Sequence, residues 1–124
     1  MIENMKVGID IINVNRFRNM PFAKKISFYK KIFHENEINY CLKFKDPYTH
    51  FAGKFAIKES VIKSTNTKEN FLKIITDHQN KKPIVSIYGK NDYTFSASIS
   101  HEKDYAIGIV IAKKKLNKLL SKYT

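Results

Sequence analysis

Residues 51–64, Phe-Ala-Gly-Lys-Phe-Ala-Ile-Lys-Glu-Ser-Val-Ile-Lys-Ser, constrain the chain more than any other stretch. At about 100° per residue, Phe51, Phe55 and Ile62 fall on one stripe, with Ile57 and Val61 beside it. The spacing predicts a helix of roughly four turns. Glu59 and Lys63 lie at i and i+4 on a different face, next to Ala52 and Ala56. Small residues there let a strand or a ligand come close to the charged pair. Lys58 projects between the two apolar stripes. An ammonium in that position must snorkel to water, pair with an acid, or bind something.

With 124 residues, a single domain over 1–124 is expected, large enough to bury a core without disulfides. Hydrophobic content of 43% and charged content of 27% exclude a disordered tail. The lone cysteine, Cys41, can form no internal disulfide and offers no metal-site spacing. No apolar run approaches the roughly 20 residues of a membrane helix, and the amino end lacks a signal-peptide pattern. The expected compartment is the cytoplasm. A net charge of +12, from 23 basic and 11 acidic residues, attracts polyanions. These include nucleic acid, anionic membranes, phosphorylated small molecules and acidic proteins. Arg16 and Arg18 are the only arginines. Reading of base edges leans on arginine, so the lysine bias disfavours sequence-specific DNA binding.

The segment Lys6–Ile12 reads as a first strand, with Val7, Ile9 and Ile11 on one face and Gly8 and Asp10 on the other. A carboxylate in an apolar strand is costly unless paired or metal-bound. Gly8 beside it leaves room for a close neighbour. From Asn13 to Lys45 the pattern is of short helices. Asn13 or Asn15 caps the first, Pro21 starts the second, and Ile26, Tyr29, Ile32 and Phe33 recur at helical spacing. Lys24, Lys25, Lys30 and Lys31 occupy the other side and, with Arg16 and Arg18, make a basic face. A further helix over Glu35–Leu42 precedes Asp46-Pro47, which opens the central helix.

Beyond Ser64 come strand-like segments at Phe71–Ile75, Ile84–Tyr88, Tyr93–Ser100 and Tyr105–Ala112. Turns are expected at Lys81-Lys82-Pro83, Gly89–Asp92 and His101–Asp104. Lys113–Thr124 reads as a basic amphipathic helix carrying Leu116, Leu119 and Leu120. The fold class is α+β, helices packed on an antiparallel sheet. No glycine-rich phosphate loop, paired zinc-ligand motif or nucleophile elbow is present.

Three separated segments, Gly8-Ile-Asp-Ile11, Phe55-Ala-Ile-Lys-Glu-Ser60 and Ser98-Ile-Ser-His-Glu102, resemble in order and spacing the holo-acyl-carrier-protein synthase family. These are small, trimer-forming 4′-phosphopantetheinyl transferases, and the resemblance runs over residues 5 to 112. It implies transfer of 4′-phosphopantetheine from coenzyme A to a serine of apo-acyl-carrier protein, in fatty acid biosynthesis. Adenosine 3′,5′-bisphosphate is the other product, and Mg²⁺ is required. By the same resemblance, Asp10 and Glu59 are the metal-ligating carboxylates. Lys58 and Lys63 lie near the coenzyme A phosphates, with Lys63 beside Glu59 at the catalytic centre. His101 lies at the coenzyme, and Lys54 stands where relatives often carry arginine. Arg16 contacts the acidic carrier protein. Active sites in the family lie between subunits of a homotrimer. This sequence departs from the family pattern in having Lys81-Lys82-Pro83 for Gly-Lys-Pro, Ser60 for alanine, and no arginine near Asp46.

The chemistry of the residues agrees. Mg²⁺ takes few carboxylates and completes its octahedron with water and phosphate oxygens, which suits two acids distant in sequence. Phosphoryl chemistry needs charge neutralisation and positioning, which lysines flanking Glu59 supply. A proton acceptor for the serine is to be found among Glu59, a water it orients, Glu37 and a metal-bound water, with Glu59 or its water favoured. The alternative is a basic, non-enzymatic nucleic-acid-binding module, suggested by the +12 charge and 13% aromatic content.

Overall fold

The central helix, α4, spans Pro47–Thr65 in the computed structural model, which describes residues 4–90 and 92–115. The Asp46 carboxylate starts it by accepting from the Tyr48 N–H (3.1 Å) and the Thr49 hydroxyl (2.8 Å), with Pro47 in the first turn. Asn66 ends it in the left-handed conformation, φ 53°. Between Phe51 and Val61 every side chain is buried except that of Glu59, which is half-buried. A helix enclosed on all sides cannot send its lysines to water, so Lys54 and Lys58 find partners inside.

Around α4 the order is β1 (Met5–Asn13), α1 (Asn15–Arg18), a 3₁₀ turn (Phe22–Lys24), α2 (Ile26–Lys30) and α3 (Glu35–Leu42). After α4 come a 3₁₀ turn (Phe71–Lys73), β2 (Ile74–Gln79), β3 (Lys82–Ile87), β4 (Tyr93–Glu102) and β5 (Tyr105–Lys114). The N-cap of α1 is Val14, neither asparagine; the Asn13 side chain accepts from the Asn15 N–H (3.0 Å) in the turn that leads into the helix.

The strands form two antiparallel sheets where one was expected. One is three-stranded in the order β1-β5-β4, and the hairpin β2-β3 stands apart. The hairpin turns at Asn80-Lys81, both with positive φ (51° and 67°), the two-residue geometry that matches strand twist. The turn therefore falls earlier than Lys81-Lys82-Pro83, and Pro83 lies within β3 opposite His78. His101 likewise belongs to β4, and the chain reverses at Lys103-Asp104. Lys113 and Lys114 continue β5 and Lys115 follows without regular structure, so none of them begins a helix; residues 116–124 of that expected helix lie outside the described residues.

The sheet meets α4 through two glycines. A Cβ on Gly8 would sit 1.9 Å from Ser60 O, and one on Gly108 would sit 2.8 Å from the Ala56 carbonyl carbon. Gly108 is the register partner of Asp10. The small residues expected to admit a neighbour thus bring β1 and β5 against the helix backbone beside the charged pair. The Ser60 hydroxyl bridges the two elements, 2.7 Å from Ala56 O and 3.0 Å from Gly108 O.

Burial divides into an aromatic cluster around Phe17, Tyr29, Phe33, Phe51 and Phe55 and an aliphatic one around Ile57, Val61, Ile74, Val85 and Val110. Arg18 does not join the basic face. It clasps Asp46 and Asp104, both at 2.8 Å, tying α1 to the start of α4 and the β4-β5 turn. Among the described residues, helices cover only one face of the three-stranded sheet. On the other, Val7, Ile9 and Ile11 are 56–58% exposed beside Tyr105, Ile107 and Ile109.

Candidate active site

Two groups of functional side chains emerge, on different parts of the chain. The first surrounds the sheet-facing side of α4. Asp10 Oδ1 accepts from Lys63 Nζ at 2.7 Å, and the same ammonium reaches Ile9 O at 3.2 Å. Glu59 lies one turn before Lys63. Burial pushes the Glu59 carboxyl above its ordinary range, and the charge of Asp10 adds to that; Lys63 and Arg16 oppose it. Arg16 is exposed, its guanidinium 5.6 Å from the centre of the Phe55 ring. The fold therefore gathers Asp10, Arg16, Glu59 and Lys63, which the sequence scatters over more than 50 positions.

Two carboxylates held within each other's field form an arrangement that a divalent cation relieves. Among the described residues no cluster of three or more His, Cys, Asp or Glu side chains is placed to hold a metal. The donor set of Asp10 and Glu59 alone is of the sparse kind that Mg²⁺ accepts when a phosphate and waters supply its other ligands. The residues present fit the ion.

The second group lines a cleft of about 1080 Å³ between α3, the first half of α4, the β2-β3 hairpin and β4. Lys54 and His101 are on its walls. With them are Tyr40, His50 and His78, which the sequence did not single out. His78 stacks on Tyr40 (4.2 Å between ring centres, 11° between planes), and His50 on Phe44 (3.6 Å). His101 approaches His50 edge-on at 5.8 Å. Lys54 Nζ lies 4.7 Å from the centre of the Tyr40 ring and 3.5 Å from His78 Nδ1. Burial and the nearby Lys54 charge push the His78 imidazole down to about 4. Burial, then the neighbouring His101, lowers His50. The His78 imidazole is therefore neutral at physiological pH, and the neutral form of His50 is favoured.

Lys58 and Glu37 are not where the sequence placed them. Lys58 is wholly enclosed, its ammonium donating to Glu37 Oε1 (2.8 Å), Ile32 O (2.8 Å) and Phe71 O (3.0 Å). Unlike Lys54, Lys58 does not line the cleft, and its three short donor bonds hold it inside the core. Glu37 is equally enclosed and is not open to a substrate hydroxyl. Their pairing resolves the lysine anomaly of α4 and removes Glu37 from the candidate bases. Cys41 is fully buried, and burial pushes its thiol up to about 12, which leaves it inert.

Residues 6–110 match the 4′-phosphopantetheinyl transferase superfamily. The chain belongs to this family. It is similar to a holo-[acyl-carrier-protein] synthase of Thermodesulfovibrio yellowstonii, with 40% identity over 90% of this chain and 98% of the relative. The corresponding protein of Leptospira biflexa is 33% identical over the same shares. Among solved structures, the Bacillus anthracis holo-(acyl-carrier-protein) synthase in complex with CoA (3′,5′-ADP) superimposes with a TM-score of 0.77. Its identity is 31%, covering 89% of this chain and 96% of that one. The Helicobacter pylori enzyme in complex with coenzyme A gives 0.76 at 28% identity, over 86% and 99%. Among the described residues no helix is long and apolar enough to cross a membrane.

Proposed function

We propose that this transferase moves 4′-phosphopantetheine from coenzyme A to a serine of apo-acyl-carrier protein, in the cytoplasm and in service of fatty acid biosynthesis. The observation that carries the proposal is the Asp10–Lys63 ion pair (2.7 Å) one helical turn from Glu59, whose carboxyl feels the charges of Asp10, Lys63 and Arg16. The relatives' names and the coenzyme A complexes of the solved structures agree with it.

In the reaction, the serine oxygen bonds to the phosphorus that carries pantetheine. The bond from that phosphorus to the bridging oxygen of the pyrophosphate breaks, and adenosine 3′,5′-bisphosphate leaves with the electron pair. The serine proton passes to Glu59 or to a water that Glu59 orients. Glu59 suits this role because its environment raises its proton affinity. Lys63 neutralises charge on the pyrophosphate oxygens once a ligand competes with Asp10 for its ammonium. Asp10 and Glu59 would hold Mg²⁺, which when bound supplies further neutralisation of the phosphate oxygens. Lys54 and His101 grip the coenzyme in the cleft, Lys54 by exchanging one of its long 3.5 Å contacts, to Thr76 O or His78 Nδ1, for a phosphate oxygen. Arg16, with the lysines of α2 and its approach, faces the acidic carrier protein and steers it in.

The working form is a homotrimer. The apolar face of β1 and β5 is too exposed for a lone subunit, and burial between copies removes it from water. A site between subunits would also unite the Asp10–Glu59 group of one chain with a neighbour's cleft. The nucleic-acid alternative rested on total charge. Lys54 and Lys58 are buried and Arg18 is paired, so the basic surface is smaller than the sequence implied.

Mass spectrometry of apo-acyl-carrier protein incubated with this protein, coenzyme A and Mg²⁺ tests the proposal. One phosphopantetheine should be gained, and a chelator should prevent it. An unchanged carrier mass with folded protein would overturn it.

A further inference from the structure

Beneath the cleft runs a buried chain of hydrogen bonds that the reaction as described does not use. Glu37 stands at its centre and accepts from four donors. These are the His34 N–H (2.7 Å), Lys58 Nζ (2.8 Å), the Thr76 N–H (3.0 Å) and the Thr76 hydroxyl (2.5 Å). A carboxylate has about four lone-pair sites, and all are filled. The direction of every bond beyond it follows. Thr76 has one hydroxyl proton and gives it to Glu37 Oε2, so its oxygen can only accept from Lys54 Nζ, 3.0 Å away. Lys54 also points to Thr76 O and to His78 Nδ1, each at 3.5 Å. As an ammonium it has donors only, so His78 Nδ1 accepts and the neutral ring carries its proton on Nε2.

Lys54 is 1% exposed, yet it lines the cleft. Its position there is set by Thr76, which is set by Glu37, which is balanced by Lys58. A lysine has a flexible stem and a point charge, so it depends on such a framework more than a planar guanidinium does.

We infer that Thr76 and Glu37 are positioning residues for anion binding. They fix the Lys54 ammonium and the His78 tautomer at the cleft wall without themselves touching the ligand. The ligand class is a phosphorylated nucleotide of the coenzyme A kind, and in this the inference rests on the function proposed above.

The test is Thr76→Val, which keeps the shape of the side chain and removes the acceptor, alongside Thr76→Ser, which restores it. Coenzyme A affinity is measured by calorimetric titration, and KM and kcat by transfer to apo-acyl-carrier protein. Thr76→Val should weaken coenzyme A binding and raise its KM about tenfold, the loss expected when a charged donor is freed from its place. Its kcat should stay within about twofold of wild type, since uniform binding is what is lost. Thr76→Ser should bind as wild type does. A slowly exchanging lysine ¹⁵N–H signal that disappears with Lys54→Met should also be lost in Thr76→Val and kept in Thr76→Ser.

A purely structural role would lower the melting temperature and leave the KM of the folded fraction unchanged, and that result would overturn the inference. So would a persisting Lys54 signal in Thr76→Val. If Thr76→Val does not fold, Thr76→Ala is read the same way. Wild-type protein that binds coenzyme A without transferring from it would count against the proposed function and leave the binding comparison intact.

Discussion

Lys58→Met distinguishes a buried clamp from a ligand-binding lysine. In the wild type the ammonium satisfies Glu37 and two backbone carbonyls, and both charged side chains are essentially without solvent contact (0% and 1%). Methionine matches the stem but leaves Glu37 as a buried carboxylate with one of its four donors gone. Removing one partner of a buried pair costs about 3–5 kcal/mol. A domain of this size is stable by about 5–15 kcal/mol, so the variant should still fold at low temperature with much of its margin lost. Urea unfolding followed by circular dichroism reads the effect as a lower midpoint at unchanged slope. Glu37→Gln should cost a comparable amount. The double variant Glu37→Gln/Lys58→Met should cost clearly less than the two singles added, because the uncompensated charge is gone. A loss below about 1 kcal/mol for Lys58→Met would refute the clamp.

Other consequences follow from the same structure. Gly8→Ala places a methyl against the backbone of α4 at Ser60, where nothing flexible can yield, and should destabilise by about 3 kcal/mol or more; a melting temperature near that of wild type would contradict the close approach. The raised proton affinity of Glu59 means the fold disfavours its ionised form. Its folded pKa lies above the unfolded value, so the cost is fully present above the folded pKa and vanishes as pH falls below the unfolded one. Without metal, Glu59→Gln should therefore melt higher than wild type at pH 7, with the gap closing in acid; no gap, or the reverse order, would contradict it. Ile9→Glu puts a charge in the middle of the exposed apolar face and should convert a light-scattering trimer to a monomer; wild-type protein that is already monomeric at micromolar concentration would remove the basis for a shared site.

Much of this was legible in the sequence because periodicity and capping are local. Asp46-Pro47, the alternation of Val7, Ile9 and Ile11, and the run Tyr105–Ala112 each announce their element from neighbouring residues. Gly8 beside Asp10 announced a close neighbour, which proved to be the backbone of α4. What was not legible depends on contacts between distant segments. The resemblance puts Lys58 near the coenzyme A phosphates, and local spacing leaves pairing open but cannot name Glu37, which lies 21 positions away on another helix. Arg18 looked free because Asp46 and Asp104 reach it only after folding. His50 and His78 carry no spacing signal at all; stacking against Phe44 and Tyr40 brings them to the cleft. The division into two sheets is not legible because alternation identifies strands without naming their partners.

The most direct measurement is the rate of phosphopantetheine transfer by Glu59→Gln, set against wild type with equal folded fractions and saturating coenzyme A and Mg²⁺. Loss of a carboxylate that both holds the ion and takes the serine proton should lower kcat by at least about a hundredfold. A rate within a few-fold of wild type would mean that Glu59 does neither.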